Sequence, residues 1–258
     1  MATHGKVMTL DGAAFGVPGL TLVTEDLSPA AWVAEGLAPI GRDRIVLQTV
    51  APPGFPRYGR LLHPFYRESH SDLTKVRWRE VAEWSGRHIH PEVQWEALVR
   101  PRPGFGAPPR PWDDEPSQSM NRTDLVSLID SLLPYTRAAA QCYFAIWEGY
   151  GNLPFVPTWP GLETPNRRYL LFAGPLSLLR DHGTRGTWSR VPDLWWPADR
   201  HWYVGSDTDL FSTYVGGSAE CIETLLDNPT LETLPTRLDH RVDIDGDEVN
   251  WQPPRQRR

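Results

Sequence analysis

Apolar residues along the chain fall into short runs separated by turn-forming clusters, and the spacing within each run predicts its element. Leu125, Leu128, Ile129 and Leu132 recur at i, i+3, i+4 and i+7 behind Thr123, which predicts an amphipathic helix closed by Pro134. Ser28-Pro29 opens a shorter helix through Glu35, with Gly36 as its stop. Trp78, Val81 and Trp84 give one apolar face to a helix ended by Gly86, and Pro91 starts another that reaches Val99 and buries Val93, Ala97 and Trp95. Ser218 caps a further helix, with Glu220 in its first turn, Ile222, Leu225 and Leu226 turned inward, and Asn228-Pro229 at its end.

The remaining runs read as strands. Residues 44–50, 57–62 and 201–206 are candidates, and residues 142–147 (CYFAIW) and 169–173 (YLLFA) are apolar without interruption. A strand that is apolar on both faces lies in the middle of a sheet covered from both sides. Val242 to Val249 flanks Asp245-Gly246, a hairpin signal. The expected class is α+β or α/β: one layered domain over residues 1–258, with a mostly buried central sheet under helices and a C-terminal β-hairpin. Prolines 101, 103, 108, 109, 111 and 116 make residues 101–121 a surface loop that is also a candidate lobe boundary, and residues 252–258 read as a disordered basic tail.

Composition narrows the class of partner. The formal charge is -6, and the arginines are scattered, which disfavours a phosphate-backbone partner such as nucleic acid. No apolar run approaches the roughly 18 residues of a membrane span. Residues 13–23 imitate a secretory signal, but Pro18-Gly19 breaks the run and no small-residue cleavage site follows. The two cysteines, Cys142 and Cys221, sit in apolar stretches without metal-ligand spacing. Together these point to a cytoplasmic setting with no membrane contact. Twelve tryptophans are an excess that calls for either thick aromatic packing or an aromatic-lined cleft.

Three constellations have chemical potential. Asp207 and Asp209 are two apart after a strand, so both carboxylates can face one Mg²⁺ or Mn²⁺, while Gly217 and Ser218 open a helix whose free N–H groups can hold an anion. The plainer reading is an ordinary strand end and helix start. Glu148 follows the buried run 142–147 and is a candidate general base, or simply a carboxylate leaving the core for water. Trp195, Trp196, Arg200 and Trp202 lie within eight positions and form either a recognition surface or an aromatic lid on the core. Two adjacent tryptophans do not easily both point inward. The set around Asp243, Asp245 and Asp247 fails as a calcium loop, because Arg241 and Gln252 would stand at its first and last ligand positions.

Several blocks, YGRLLHPFY (58–66), VRWREVAEWSGRHIHPEVQW (76–95), CYFAIWEGYG (142–151), RRYLLFAGPL (167–176) and LWWPADRHWYVGSDTDLFSTYVGGS (194–218), resemble an uncharacterised family of high-GC Gram-positive (actinobacterial) proteins. The resemblance implies one intact domain in a cytoplasmic setting and assigns no catalytic residue. The expected function is therefore non-catalytic protein binding, immunity-like or regulatory, through an aromatic-rich surface and without a cofactor. The alternative is a metal-dependent enzyme, using Mg²⁺ or Mn²⁺, on a phosphate-bearing or glycosyl substrate.

Overall fold

The structure is a computed structural model that describes residues 18–69, 72–100, 115–150, 159–182 and 191–250. Residues 101–114 of the proline-rich stretch, Gly151 and the tail 252–258 lie outside the described residues.

Eleven strands and six α-helices are present among the described residues, and every strand pairing is antiparallel, which makes the class α+β rather than α/β. The strands are β1 (Thr21–Leu22), β2 (Arg57–Leu62), β3 (Phe65–Ser69), β4 (Asp72–Val76), β5 (Cys142–Trp147), β6 (Leu162–Glu163), β7 (Arg168–Gly174), β8 (Leu194–Pro197), β9 (Tyr203–Ser206), β10 (Ser212–Gly217) and β11 (Thr233–Thr236). The helices are α1 (Ser28–Gly36), α2 (Trp78–Ser85), α3 (Trp95–Val99), α4 (Arg122–Leu132), α5 (Leu176–His182) and α6 (Ala219–Leu226). Nine strands form one sheet in the order β1-β7-β5-β8-β9-β10-β2-β11, with β6 also on β7, and β3 and β4 form a separate hairpin. Because β2 pairs with β10 and β11, strands from before and after the proline-rich stretch share one sheet.

The two uninterrupted apolar runs are neighbours in the sheet: Phe144 of β5 faces Phe172 of β7, and the pairing extends from Cys142 to Trp147. Side chains alternate across each strand, so an all-apolar strand needs a core on both faces. The first face, with Phe144, Leu170, Phe172, Trp195 and Val215, packs under α4, α5 and α6. The second, with Tyr143, Leu171, Trp196, Tyr203 and Tyr214, packs under α1 and residues 37–55. A third cluster joins α2 and α3 to Leu62, Phe65 and Val76.

Local chemistry sets the helix ends. Asn121, rather than Thr123, caps α4 by accepting the Asp124 N–H, and the stripe Leu125, Leu128, Ile129 and Leu132 is fully buried. Helix α2 stops at Gly86, which takes the left-handed conformation (φ 63°) that glycine adopts without steric cost, and the buried Glu232 carboxylate accepts the N–H groups of Trp78 and Arg79 at its start. Gly205 in β9 is required by packing, since a Cβ there would lie 2.6 Å from the carbonyl oxygen of Val50.

Two expected elements are corrected. Residues 44–50 form no strand; Val46 makes a single bridge to Arg241, and Leu47–Thr49 is a 3-10 turn in which the Leu47 and Gln48 N–H groups donate to the carbonyls of His240 and Leu238. The C-terminal hairpin is not formed among the described residues. Gly246 does not take the positive φ that an Asp-Gly hairpin turn needs. Instead the side chains of the segment capture backbone donors: Asp243 accepts from Ile45 and Asp245, and Asp247 from Gln94 and Asn250. No helix among the described residues is long and apolar enough to cross a membrane.

Candidate functional site

Strand β8 overturns the aromatic surface. Trp195, Trp196 and Trp202 are all fully buried, because β8 is sandwiched between β5 and β9 and has a core on each face. Trp195 points into the first core, edge-on to Trp202 at 5.3 Å, and Trp202 donates through Nε1 to Thr136. Trp196 points into the second core, stacked on Tyr143 at 5.9 Å and Tyr203 at 6.1 Å. Adjacent tryptophans do both point inward when both faces are inside. Arg200 alone of that group stays at the surface, in the turn between β8 and β9 with φ 55°, its guanidinium 5.3 Å over the Trp32 ring.

The acidic pair meets a cation from another strand. Arg167, immediately before β7, donates from Nε and Nη2 to the two oxygens of Asp207 at 2.7 and 2.6 Å, and from Nη2 to Asp209 at 2.8 Å. Its guanidinium stands 4.3 Å from the Trp147 ring centroid. This is a bidentate arginine–carboxylate fork with an aromatic backing, the arrangement that holds a guanidinium most firmly. Burial alone would depress the Arg167 guanidinium; Asp207 and Asp209 more than offset that and hold it above the usual arginine range. A metal at Asp207 would have to displace this fork, so the two carboxylates are placed together, as their spacing suggests, but around an internal cation.

Beneath the fork lies a small cavity of about 60 Å³, lined by polar groups of Arg167, Asp207, Asp209 and Tyr169 and by the apolar side chains of Ile40, Ile45, Val50 and Leu210. Ile40 is half exposed at its mouth. Tyr169 is 4 % exposed, yet its hydroxyl makes no hydrogen bond among the described residues. Burial, with Asp193 and Asp207 adding to it, pushes the Tyr169 phenol far above the usual tyrosine range, so the hydroxyl keeps its proton. Behind it, the buried Asp193 carboxylate accepts from the Trp147 N–H at 2.7 Å and the Tyr150 hydroxyl at 2.5 Å.

The other candidates are not part of this arrangement. Gly217 and Ser218 lie at the far end of β10: the antiparallel register sets Thr213 against Ser206 and Gly216 against Tyr203. Four residues of strand separate Thr213 from Gly217, about 14 Å. The Ser218 hydroxyl is committed to capping α6 through the Cys221 N–H. Glu148 is ion-paired with Arg168, which also holds Glu163 at 2.8 Å and the Trp159 carbonyl. Arg167 and Arg168 are adjacent, so they project to opposite faces, Arg168 on the side of Leu170 and Phe172. Glu148 therefore sits across the sheet from Asp207. Gly149 serves packing, since a Cβ there would come 2.2 Å from the Trp147 ring.

Arg167, Trp147 and Tyr169 are the site residues that sequence reasoning passes over. The available signal is the pair Arg167-Arg168 at the mouth of an apolar strand, where two cations need two sets of acidic partners. No protein-family model, curated protein or solved structure matches the chain.

Proposed function

We propose that this chain is a non-catalytic protein that acts by binding another protein, in a cytoplasmic and immunity-like or regulatory role. The observation that carries the reading is the commitment of its candidate reactive groups to structure. Asp207 is forked onto Arg167, Glu148 is paired with Arg168, and both ring nitrogens of the buried His63 are hydrogen-bonded. Burial pushes the thiols of Cys142 and Cys221 up to about 12, which keeps both protonated at neutral pH. A catalytic acid, base or nucleophile needs a lone pair or proton free for substrate.

One surface feature that stays available is the small cavity, where an exposed Ile40 and the largely exposed Asp209 accompany Arg167, itself backed by the half-buried Trp147. Tryptophan and arginine over a partly apolar floor are the residues that anchor protein interfaces. The test is affinity capture with wild-type protein and an Ile40→Asp/Asp209→Lys variant, both changes being at exposed positions that leave the cores untouched. The expected result is a partner held by the wild type and lost by the variant, with the melting temperature lowered by no more than a few degrees, since Asp209 gives up one largely exposed contact with Arg167. No specific partner, or the same partners on both proteins, would count against the proposal.

A further inference from the structure

We infer that the cavity between Tyr169, Arg167, Asp207 and Asp209 receives a cationic side chain, lysine or arginine, presented by a protein partner; this deepens the partner-binding reading and rests on it. Size limits the occupant first. A water needs roughly 10–15 Å³ of such space, so about 60 Å³ admits a side-chain head group. It does not admit a nucleotide or sugar, whose pockets run to roughly 300–1,000 Å³.

Hydrogen bonding comes next. Tyr169 is more than nine-tenths buried, lines the cavity and leaves its hydroxyl without a partner among the described residues. The hydroxyl oxygen is not among the fully buried unsatisfied atoms, so it is reached from the cavity and is available to a group that enters. Asp209 uses Oδ2 on Arg167, so Oδ1 of this largely exposed side chain remains as an acceptor.

Charge then selects the sign. Asp207 and Asp209 together carry one more charge than Arg167 neutralises. The whole chain is also acidic, at -6. An anion is repelled and a cation drawn in. The walls suit the rest of such a side chain, because Ile40, Ile45 and Leu210 offer apolar surface to a methylene stem while the head group meets oxygen. Arg167 already shows how a guanidinium is held here, against Trp147 and across a carboxylate.

The test uses blocked single residues, N-acetyl-lysine N-methylamide and N-acetyl-arginine N-methylamide, titrated into ¹⁵N-labelled full-length protein, with the glutamine analogue as a neutral control. Saturable shifts are expected at the Ser206 and Asp209 amides and the Trp147 indole for at least one cationic probe. The dissociation constant should be on the order of 1 mM, and the glutamine analogue should give none. Tyr169→Phe should weaken binding tenfold or more while leaving the melting temperature unchanged, because the hydroxyl has no partner to lose. A merely structural tyrosine would show the opposite pattern. Absence of saturation up to about 50 mM, equal binding of the neutral probe, or undiminished binding by Tyr169→Phe would overturn the cavity. A partner captured equally by wild type and Tyr169→Phe would overturn the cavity and leave the partner-binding reading standing. Failure of capture and titration together would remove both.

Discussion

Trp196→Ala should destabilise the protein by about 4 kcal/mol, the upper range for deleting a large aromatic from a core. Trp196 is fully buried, stacks on Tyr143 and Tyr203, and meets Trp32 edge-on at 5.8 Å. Removing it opens a cavity in the layer between the sheet and α1, which cannot collapse without dragging β8 out of register with β5 and β9. A chain of this size loses roughly 2–4 °C of melting temperature per kcal/mol, so the midpoint should fall by about 10 °C or more. Thermal and urea unfolding measure it. An exposed recognition tryptophan would instead cost within about 0.5 kcal/mol, so a small loss would contradict the buried placement.

The second large effect is acid sensitivity at His63. Its Nδ1 lies 2.8 Å from the Ser117 carbonyl, which can only accept, so Nδ1 carries the proton and Nε2 accepts from the Thr213 hydroxyl at 2.8 Å. Burial lowers His63 to about 4; the Ser117 bond and the nearby Asp124 charge oppose that, and the Arg60 guanidinium reinforces it. The folded pKa is thus below the unfolded value near 6.5. Between the two, the unfolded chain binds more protons, and stability rises with pH. The contribution is fully present above about 6.5 and lost as pH falls toward 4, on the order of 3 kcal/mol in all. Urea unfolding at pH 4.5 and 7 should show this slope in the wild type, and His63→Asn should flatten it while lowering stability at neutral pH. A slope that survives the substitution would place the titration elsewhere.

How much of this was legible depends on how local each signal is. The runs 142–147 and 169–173 announce paired central strands because an all-apolar strand has few other places to go. The stripe of α4 and the Ser218 cap of α6 are equally local. Strand β8 was hidden by the same physics that makes it central. Trp195 beside Trp196 suggests one exposed ring only if a single face is covered, and the second cover comes from α1 and residues 37–55, far away in the chain. Strand β10 (STYVGG) carries too many small and polar residues to stand out. The 44–50 run has strand composition, but its donors are taken by carbonyls near residue 240.

The site followed the same rule. Asp207 and Asp209 were visible as a pair because i and i+2 share a side. That their cation is Arg167, 40 residues upstream and set by the register of β7 beside β5, depends on tertiary pairing. The i, i+1 alternation that parts Arg167 from Arg168 also separates Glu148 from the acidic pair.

Arg167 itself offers the decisive measurement. The Nε–Hε resonance in ¹⁵N-labelled protein should be resolved, slow to exchange with solvent and unmoved by millimolar Mg²⁺, as expected for a guanidinium locked between Asp207 and Trp147. If Mg²⁺ instead releases that proton to rapid exchange, the carboxylates belong to the metal, and binding through an acidic pair held by Arg167 gives way to metal chemistry.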